Sequence, residues 1–354
     1  MSAAPANGDP ALALLALLAG RDGVSLAVAA KRLGLRHSEL QRLLAALGGD
    51  AALPGLGLVE VRGGESRATL WLTAQGRRLF EKATGAPVAN DPPALATVAA
   101  ERLQGSARSS CTDDVIVERP VALLYNGLAF AVMLATPVDL EDFALGFSLS
   151  EGIVATAGEW KLLERVESDA GISIDMAIPQ ARADALAERR RGLAGRSGCG
   201  LCGVESLQAA LPPVPRVPRR APVALPQVQA ALAELQRQQP LNDRSGGVHA
   251  AAFAHAGGLL VREDVGRHNA LDKVLGARAR AGLGEGFVVV TSRASAELVH
   301  KTATCGLGLL VAISAPTSLA IQLAQDAGVT LAAFARDGQV AVYANAEGLL
   351  WEPL

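Results

Sequence analysis

The chain has 354 residues, of which 50% are apolar, 3% aromatic and 19% charged, with a formal net charge of −2. That composition excludes global disorder and a general polyanion binder, and the length suits two to three domains with a core of Ala, Leu and Val. Four cysteines exclude a disulfide-stapled scaffold and fit a reducing compartment.

The start MSAAPANGDP has no basic run ahead of the apolar stretch at Ala11–Ala19, so no secretory leader is expected and the protein is placed in the cytoplasm. Residues 10–84 read as helix, helix, turn, helix, hairpin, helix. Ser25 can cap a helix that ends at Leu33, where Gly34 stops it. A further helix over His37–Leu47 sets Leu40, Leu43, Leu44 and Leu47 on one face. Gly57–Val61 and Thr69–Leu72 suit two short strands, and Thr73 can cap a last helix over Ala74–Ala83. This stretch resembles a winged helix-turn-helix close to the DNA-binding end of molybdate-responsive regulators. The resemblance implies DNA contact through His37, Gln41 and Arg42, with Arg62 and Arg67 near phosphates. Residues 1–90 carry ten basic against seven acidic residues, a net of +3 that is weak for DNA, and a module for protein contact or dimerisation competes.

Residues 85–105, opening with GAPVANDPP, are expected to be a linker, and 106–354 a second domain of the α/β class. Val121–Tyr125 and Ala129–Ala135 flank Asn126-Gly127, a hairpin turn signal, and Asp139 can cap a helix running through Ser150. Glu141 and Asp142 fall in its first turn, where acids complement the helix dipole. Leu211–Pro226 holds six prolines in sixteen residues and is expected to be extended and mobile. Strand, polar turn and helix then alternate three times, with turns at Arg262–Arg267, Ser292-Arg293 and Ser314–Thr317. Such alternation implies a sheet covered by helices, with ligands at the carboxyl ends of the strands and phosphates at the helix starts. Thr302–Gln325 holds no charged residue and is long enough to span a bilayer. Pro316 interrupts it, so it reads as a buried strand at Leu307–Ile313 followed by a helix from Ser318, with no membrane partner. Cys305 reads as a small buried hydrophobe, and His249 and His268 as structural histidines.

Ser197-Gly-Cys-Gly-Leu-Cys-Gly203 carries the chemistry. Two cysteines at C-x-x-C spacing stand among glycines, inside a stretch (181–220) with eight arginines against three acids. Positive surroundings favour thiolate, the form that attacks disulfides and persulfides and binds metals. A structural zinc site, a thioredoxin-like redox pair, plain structural cysteines and a nucleophilic sulfur carrier are all compatible with the pair. A zinc deaminase is not: His249 is followed by Ala250 and Ala251 rather than the required glutamate.

The stretches Glu141–Phe147, Ser150–Ile153, Ser197–Gly203, Ser245–Ala251, Arg262–Lys273, Thr291–Ser295 and Ser314–Ser318 together resemble the formate dehydrogenase accessory sulfurtransferase family (FdhD), over about residues 111–350. The resemblance implies a cytidine-deaminase-like α/β fold without the deaminase zinc. It also implies a sulfurtransferase-type sulfur carrier that works through a cysteine persulfide. Such a carrier takes sulfur from a cysteine desulfurase and delivers it to the bis-molybdopterin guanine dinucleotide molybdenum cofactor destined for formate dehydrogenase. By motif position Cys199 carries the persulfide and Cys202 is its partner. The cofactor-binding segment falls on Phe334, Ala335, Arg336, Asp337, Gly338 and Gln339, which otherwise read as a hairpin turning at Asp337-Gly338. The winged helix departs from the family pattern and leaves a second reading, a transcription regulator that senses a molybdopterin nucleotide. A homodimer is a further expected partner arrangement.

Overall fold

The computed structural model describes residues 10–19, 24–48, 55–62, 68–73, 75–76, 79–80, 93–193, 213–336 and 338–351. The chain forms two compact units, Met1–Pro92 and Pro93–Leu354.

The first unit contains α1 (Pro10–Ala19), β1 (Val24–Ser25), α2 (Leu26–Leu33), α3 (His37–Leu47), β2 (Val59–Arg62) and β3 (Thr69–Leu72). The strands pair in the order β1-β3-β2. The local signals act as expected. Ser25 Oγ accepts from the Val28 N–H at 3.4 Å, and Gly34 takes a left-handed φ of 66° that closes α2. Thr73 Oγ1 accepts from the Gly76 N–H at 3.0 Å. Leu14, Leu18, Leu40 and Leu70 make a fully buried centre. His37, Gln41 and Arg42 are exposed on α3, whereas Arg67 lies outside the described residues.

The second unit opens with a departure from expectation. Leu95–Gln104, expected within the linker, is strand β4, and it pairs residue for residue with β5 (Ala107–Ile116). Gly105, at φ 60°, makes the two-residue turn between them. The chain continues into β6 (Arg119–Tyr125), β7 (Leu128–Ala135), helix α4 (Leu140–Ser150), β8 (Lys161–Ser168), β9 (Gly171–Ala177) and α5 (Gln180–Leu193). These strands form a sheet in the order β7-β6-β9-β8. Asn126 and Gly127 both take positive φ, as the hairpin turn requires. Asp139 precedes α4 but does not cap it. Its φ of 54° leaves no side-chain bond to the helix, and its carboxylate lies 3.4 Å from Arg262 instead.

Residues 213–226 are extended, as their prolines demand, but docked. The Val217 N–H donates to Ala327 O at 2.8 Å and its side chain joins the core, which corrects the expectation of mobility. They lead through β10 (Val223–Ala224) to α6 (Leu225–Arg237) and α7 (Pro240–Ser245). The main sheet follows: β11 (His249–His255), β12 (Gly258–Asp264), α8 (Arg267–Arg280), β13 (Phe287–Val290), α9 (Ala296–Thr304), β14 (Leu309–Ala312), α10 (Ser318–Ala327), β15 (Thr330–Arg336) and β16 (Gln339–Ala344), ending in the short β17 (Leu349–Leu350). The strand order is β12-β11-β13-β14-β15-β16, with β13, β14 and β15 parallel and the outer pairs antiparallel. Helices α8, α9 and α10 cover one face through Leu271, Val274, Leu298 and Ala324. Helix α6 covers the other through Val228, Ala231 and Leu235. The strands are apolar on both faces because both faces are covered. The run Thr302–Gln325 is divided among α9, β14 and α10, and among the described residues no helix is long and apolar enough to cross a membrane.

Helices α4 and α8 touch backbone to backbone. A Cβ on Gly146 would lie 1.7 Å from Asp272 O, and one on Gly276 would lie 1.9 Å from Asp142 O. Neither atom can retreat, since both belong to helix backbone. Gly276→Ala is therefore expected to cost about 3 kcal/mol through overpacking, or a fall of about 6–12 °C in melting temperature by calorimetry. An unchanged transition would contradict this packing.

Candidate functional site

The carboxyl ends of β13, β14 and β15 form one edge of the main sheet. Because β11 is antiparallel to β13, with Ala251 opposite Val290, the start of β11 and the end of β12 reach the same edge. Three helices therefore begin there: α8 after Gly266, α9 after Ser295 and α10 after Thr317. Each directs first-turn N–H groups and the positive end of its dipole toward this edge, an arrangement suited to phosphate.

The turns are tied to one another. The Ala294 N–H donates to Ala315 O at 3.1 Å and the Thr317 N–H to Ala294 O at 3.0 Å. The Phe334 N–H donates to Ser314 O at 3.1 Å, which brings the expected cofactor segment against the Ser314–Ser318 turn. Thr291 Oγ1 accepts from the Ala250 N–H at 2.9 Å and holds the start of β11 in place. Arg293 is exposed beside these turns. Thr317 Oγ1 accepts from the Ala320 N–H at 3.2 Å and caps α10.

Two buried lysines anchor the same edge from below. Lys273 Nζ is 2.7 Å from Asp264 Oδ2, and neither side chain has any solvent exposure. The ammonium also donates to Thr136 O and Glu263 O, at 3.0 and 3.2 Å. Asp264 in turn accepts from the N–H groups of Thr136 and Gly266 and from Asn269 Nδ2. This network fixes the turn that starts α8. Lys301 on α9 reaches Asp272 on α8 at 3.0 Å and Glu151 at 2.8 Å. Burial disfavours its charge, but the two carboxylates outweigh that and raise its pKa, so it remains an ammonium. Asp142, expected to be structural, is a buried clamp that accepts from Arg262 and Arg280 at 2.7 and 2.8 Å.

At the head of α8, His268 Nε2 lies 2.5 Å from Glu297 Oε2 on α9. The contact with His268 holds the Glu297 carboxyl below its usual range. Half-buried His249 is pushed down by desolvation first, then by the charges of Arg267 and His268. Cys305 is half-buried against the core rather than fully buried as expected, and desolvation and then Asp272 push its pKa up to about 12, which keeps it protonated.

Cys199 and Cys202 lie outside the described residues, as does Asp337. The remaining expected cofactor residues fall at the end of β15 and the start of β16. Phe334 is 40% exposed and takes φ 49°, a left-handed backbone that is rare for an aromatic residue, at a bulge in the β15–β16 pairing. Arg336 and Gln339 are exposed and opposite one another, and Gly338 takes φ 75°. Ala335 differs from its neighbours. It is buried in the core beneath α6, so only its backbone can meet a ligand.

The arrangement can be compared with known proteins. The model of the FdhD/NarQ family matches residues 116–350. The chain belongs to that family. The FdhD/NarQ match takes in the whole main sheet and its edge, and it begins after the first unit. A relative from Cupriavidus necator, named sulfur carrier protein FdhD, is 49% identical over 266 residues, covering 74% of this chain and 92% of its own length. A protein of the same name from Xanthomonas euvesicatoria pv. vesicatoria is 51% identical over 252 residues, 70% of this chain and 90% of that one. The crystal structure of a formate dehydrogenase accessory protein from Desulfotalea psychrophila superposes with a TM-score of 0.57 at 24% identity, over 73% of this chain and all of that one. That likeness bears on the fold.

Proposed function

We propose that this FdhD/NarQ protein is a sulfur carrier serving formate dehydrogenase, with a guanine-dinucleotide molybdenum cofactor as its cargo. The observation that carries the reading is near 50% identity with sulfur carriers along 70–74% of the chain, in a sequence that has Cys199 and Cys202 among arginines and glycines. In the sulfur-loading step the Cys199 thiolate attacks the outer sulfur of a desulfurase persulfide. The bond within that persulfide breaks, the desulfurase cysteine leaves as thiolate, and Cys199 holds the sulfur as its own persulfide. Cys202 is the neighbouring thiol of the pair.

The sheet edge supports the cargo assignment. Three helix starts with Arg293 suit phosphates, and exposed Phe334 offers a face on which a guanine can stack. Its left-handed backbone is the kind of strain retained at ligand sites. GDP is the simplest probe. It should raise the melting temperature of the full chain, and Phe334→Ala should weaken GDP binding about tenfold, as expected when one base-stacking contact worth about 1–3 kcal/mol is lost. Equal affinity in the two proteins by calorimetric titration would remove Phe334 from the site.

The first unit supports a winged-helix reading. Its element order, the β1-β3-β2 pairing and the exposed His37, Gln41 and Arg42 on α3 suit contact with duplex DNA. Retention of duplex DNA by the full chain at low salt, lost on replacing Gln41 and Arg42 by alanine, would support it, and no retention would leave the carrier activity alone.

A further inference from the structure

The fold leaves the contact between His268 and Glu297 without a task. Each is the second residue of its helix, His268 on α8 and Glu297 on α9, and their side chains stand at the sheet edge 28% and 49% exposed. The core under these helices is built further along them, from Leu271, Val274, Leu298 and Val299. A tie between the helices also exists there, where Lys301 of α9 meets buried Asp272 of α8 at 3.0 Å. The His268–Glu297 contact is therefore not needed to join α8 to α9. What it fixes is the direction of an imidazole at the edge.

The surroundings are mainly cationic. Arg267 precedes His268 on α8, and half-buried His249 on β11 feels the charge of both. Asp264, at the end of β12, is the carboxylate that acts on His249, and Lys273 holds it. Arg267 and Lys301 act on Glu297 together with His268. A carboxylate at a helix start suited to phosphate would repel phosphate if it stood alone. Set against His268, Glu297 orients the ring instead, and a protonated imidazole has a donor on each nitrogen.

Distance selects the ligand group. Phe334 lies near the end of β15, while α9 begins from the turn after β13, two strands away, or about 10 Å at about 4.8 Å per strand. A guanine stacked on Phe334 would send its ribose and phosphates past the Ser314–Ser318 turn toward Arg293. The outer phosphate, farthest from the base, would then reach the heads of α8 and α9.

We infer that His268 binds the second phosphate of the guanosine diphosphate portion of the cargo, with Glu297 as its positioning residue. The inference rests on the cargo assignment above and adds to it a contact outside residues 334–339.

The test is calorimetric titration of the full chain with GDP and with GMP, in the wild type, His268→Ala, Glu297→Ala and the double variant. The wild type should prefer GDP. His268→Ala should weaken GDP about tenfold, as for the loss of one charge-assisted hydrogen bond, and leave GMP nearly unchanged, so that the preference collapses. Phe334→Ala, by contrast, should weaken both ligands alike. Glu297→Ala should weaken GDP when His268 is present and not when it is already alanine, because it acts through that ring. The melting transition should not move in any of these variants, since the Lys301–Asp272 tie remains. A wild type that binds GDP while His268→Ala keeps the full preference over GMP overturns the inference and leaves the cargo assignment standing. Equal weakening of GDP and GMP by His268→Ala, or a lowered melting transition, would make the pair a structural support and overturns it too. A wild type that binds neither nucleotide overturns both the inference and the cargo assignment.

Discussion

Asp264→Ala is expected to remove about 3–5 kcal/mol of stability, because it leaves the Lys273 ammonium buried without its counter-charge. Both side chains have zero exposure and lie 2.7 Å apart, so solvent cannot screen or replace the lost partner. In a unit of this size the loss corresponds to a melting temperature lower by about 10 °C. The effect extends to the site. Asp264 also receives the N–H of Gly266, the residue before α8, and the amide of Asn269, so its removal frees the turn that carries Arg267 and His268. Lys273→Met alone should destabilise by a similar amount, since it strands the carboxylate. The pair of changes together should cost less than their sum, as required of two groups that interact directly. A transition unmoved in either single variant, followed by circular dichroism, would show that this network does not hold the edge.

The second large effect is functional. Cys199→Ala should lower formate dehydrogenase maturation to the level of cells lacking the chain, with the melting transition unchanged. The persulfide reading requires a thiolate at that position. Half-buried Cys305 is held protonated at neutral pH and does not substitute for it. Full activity in the Cys199→Ala strain would favour the alternative reading, in which the chain senses the nucleotide and carries no sulfur.

Local chemistry made much of the main sheet legible in the sequence. The runs Phe287–Val290 and Leu309–Ala312 are apolar throughout because both faces of the sheet are covered, and the polar turns after them lead into helices that begin within a residue or two of Ser295 and Ser318. Ser25, Gly34 and Asn126-Gly127 act through contacts a few residues away, so their effect is visible in the sequence. The β4–β5 arm was not legible as strand. An arm exposed on both faces has no apolar side, so LATVAAERLQ lacks the alternation that reports a half-buried strand. The buried lysines were hidden for a different reason. Lys273 meets Thr136 and Lys301 meets Ser150, partners more than a hundred residues away, and a helical lysine looks the same in sequence whether or not such partners exist. Asp139 shows the limit of a cap signal: an acid before a helix caps it only if its backbone is extended, and here a left-handed turn directs it to Arg262.

The site was legible in part. The turns at Ser292-Arg293 and Ser314–Thr317 do meet at one edge, and Phe334 is bonded to one of them. The pairing of His268 with Glu297 joins two helices and has no sequence signature, because each residue alone reads as an ordinary surface group near a helix start. Burial of Ala335 between exposed Phe334 and Arg336 follows from strand alternation, which a motif match does not consider.

The central claim is that Cys199 carries sulfur, and intact mass spectrometry reads it directly. The full chain is incubated with a cysteine desulfurase and cysteine, beside Cys199→Ala and Cys202→Ala variants, and weighed before and after reduction. The account predicts a gain of one sulfur atom on the wild type that reductant removes, and no gain on Cys199→Ala. Equal sulfur uptake by Cys199→Ala, or none by the wild type, would contradict it.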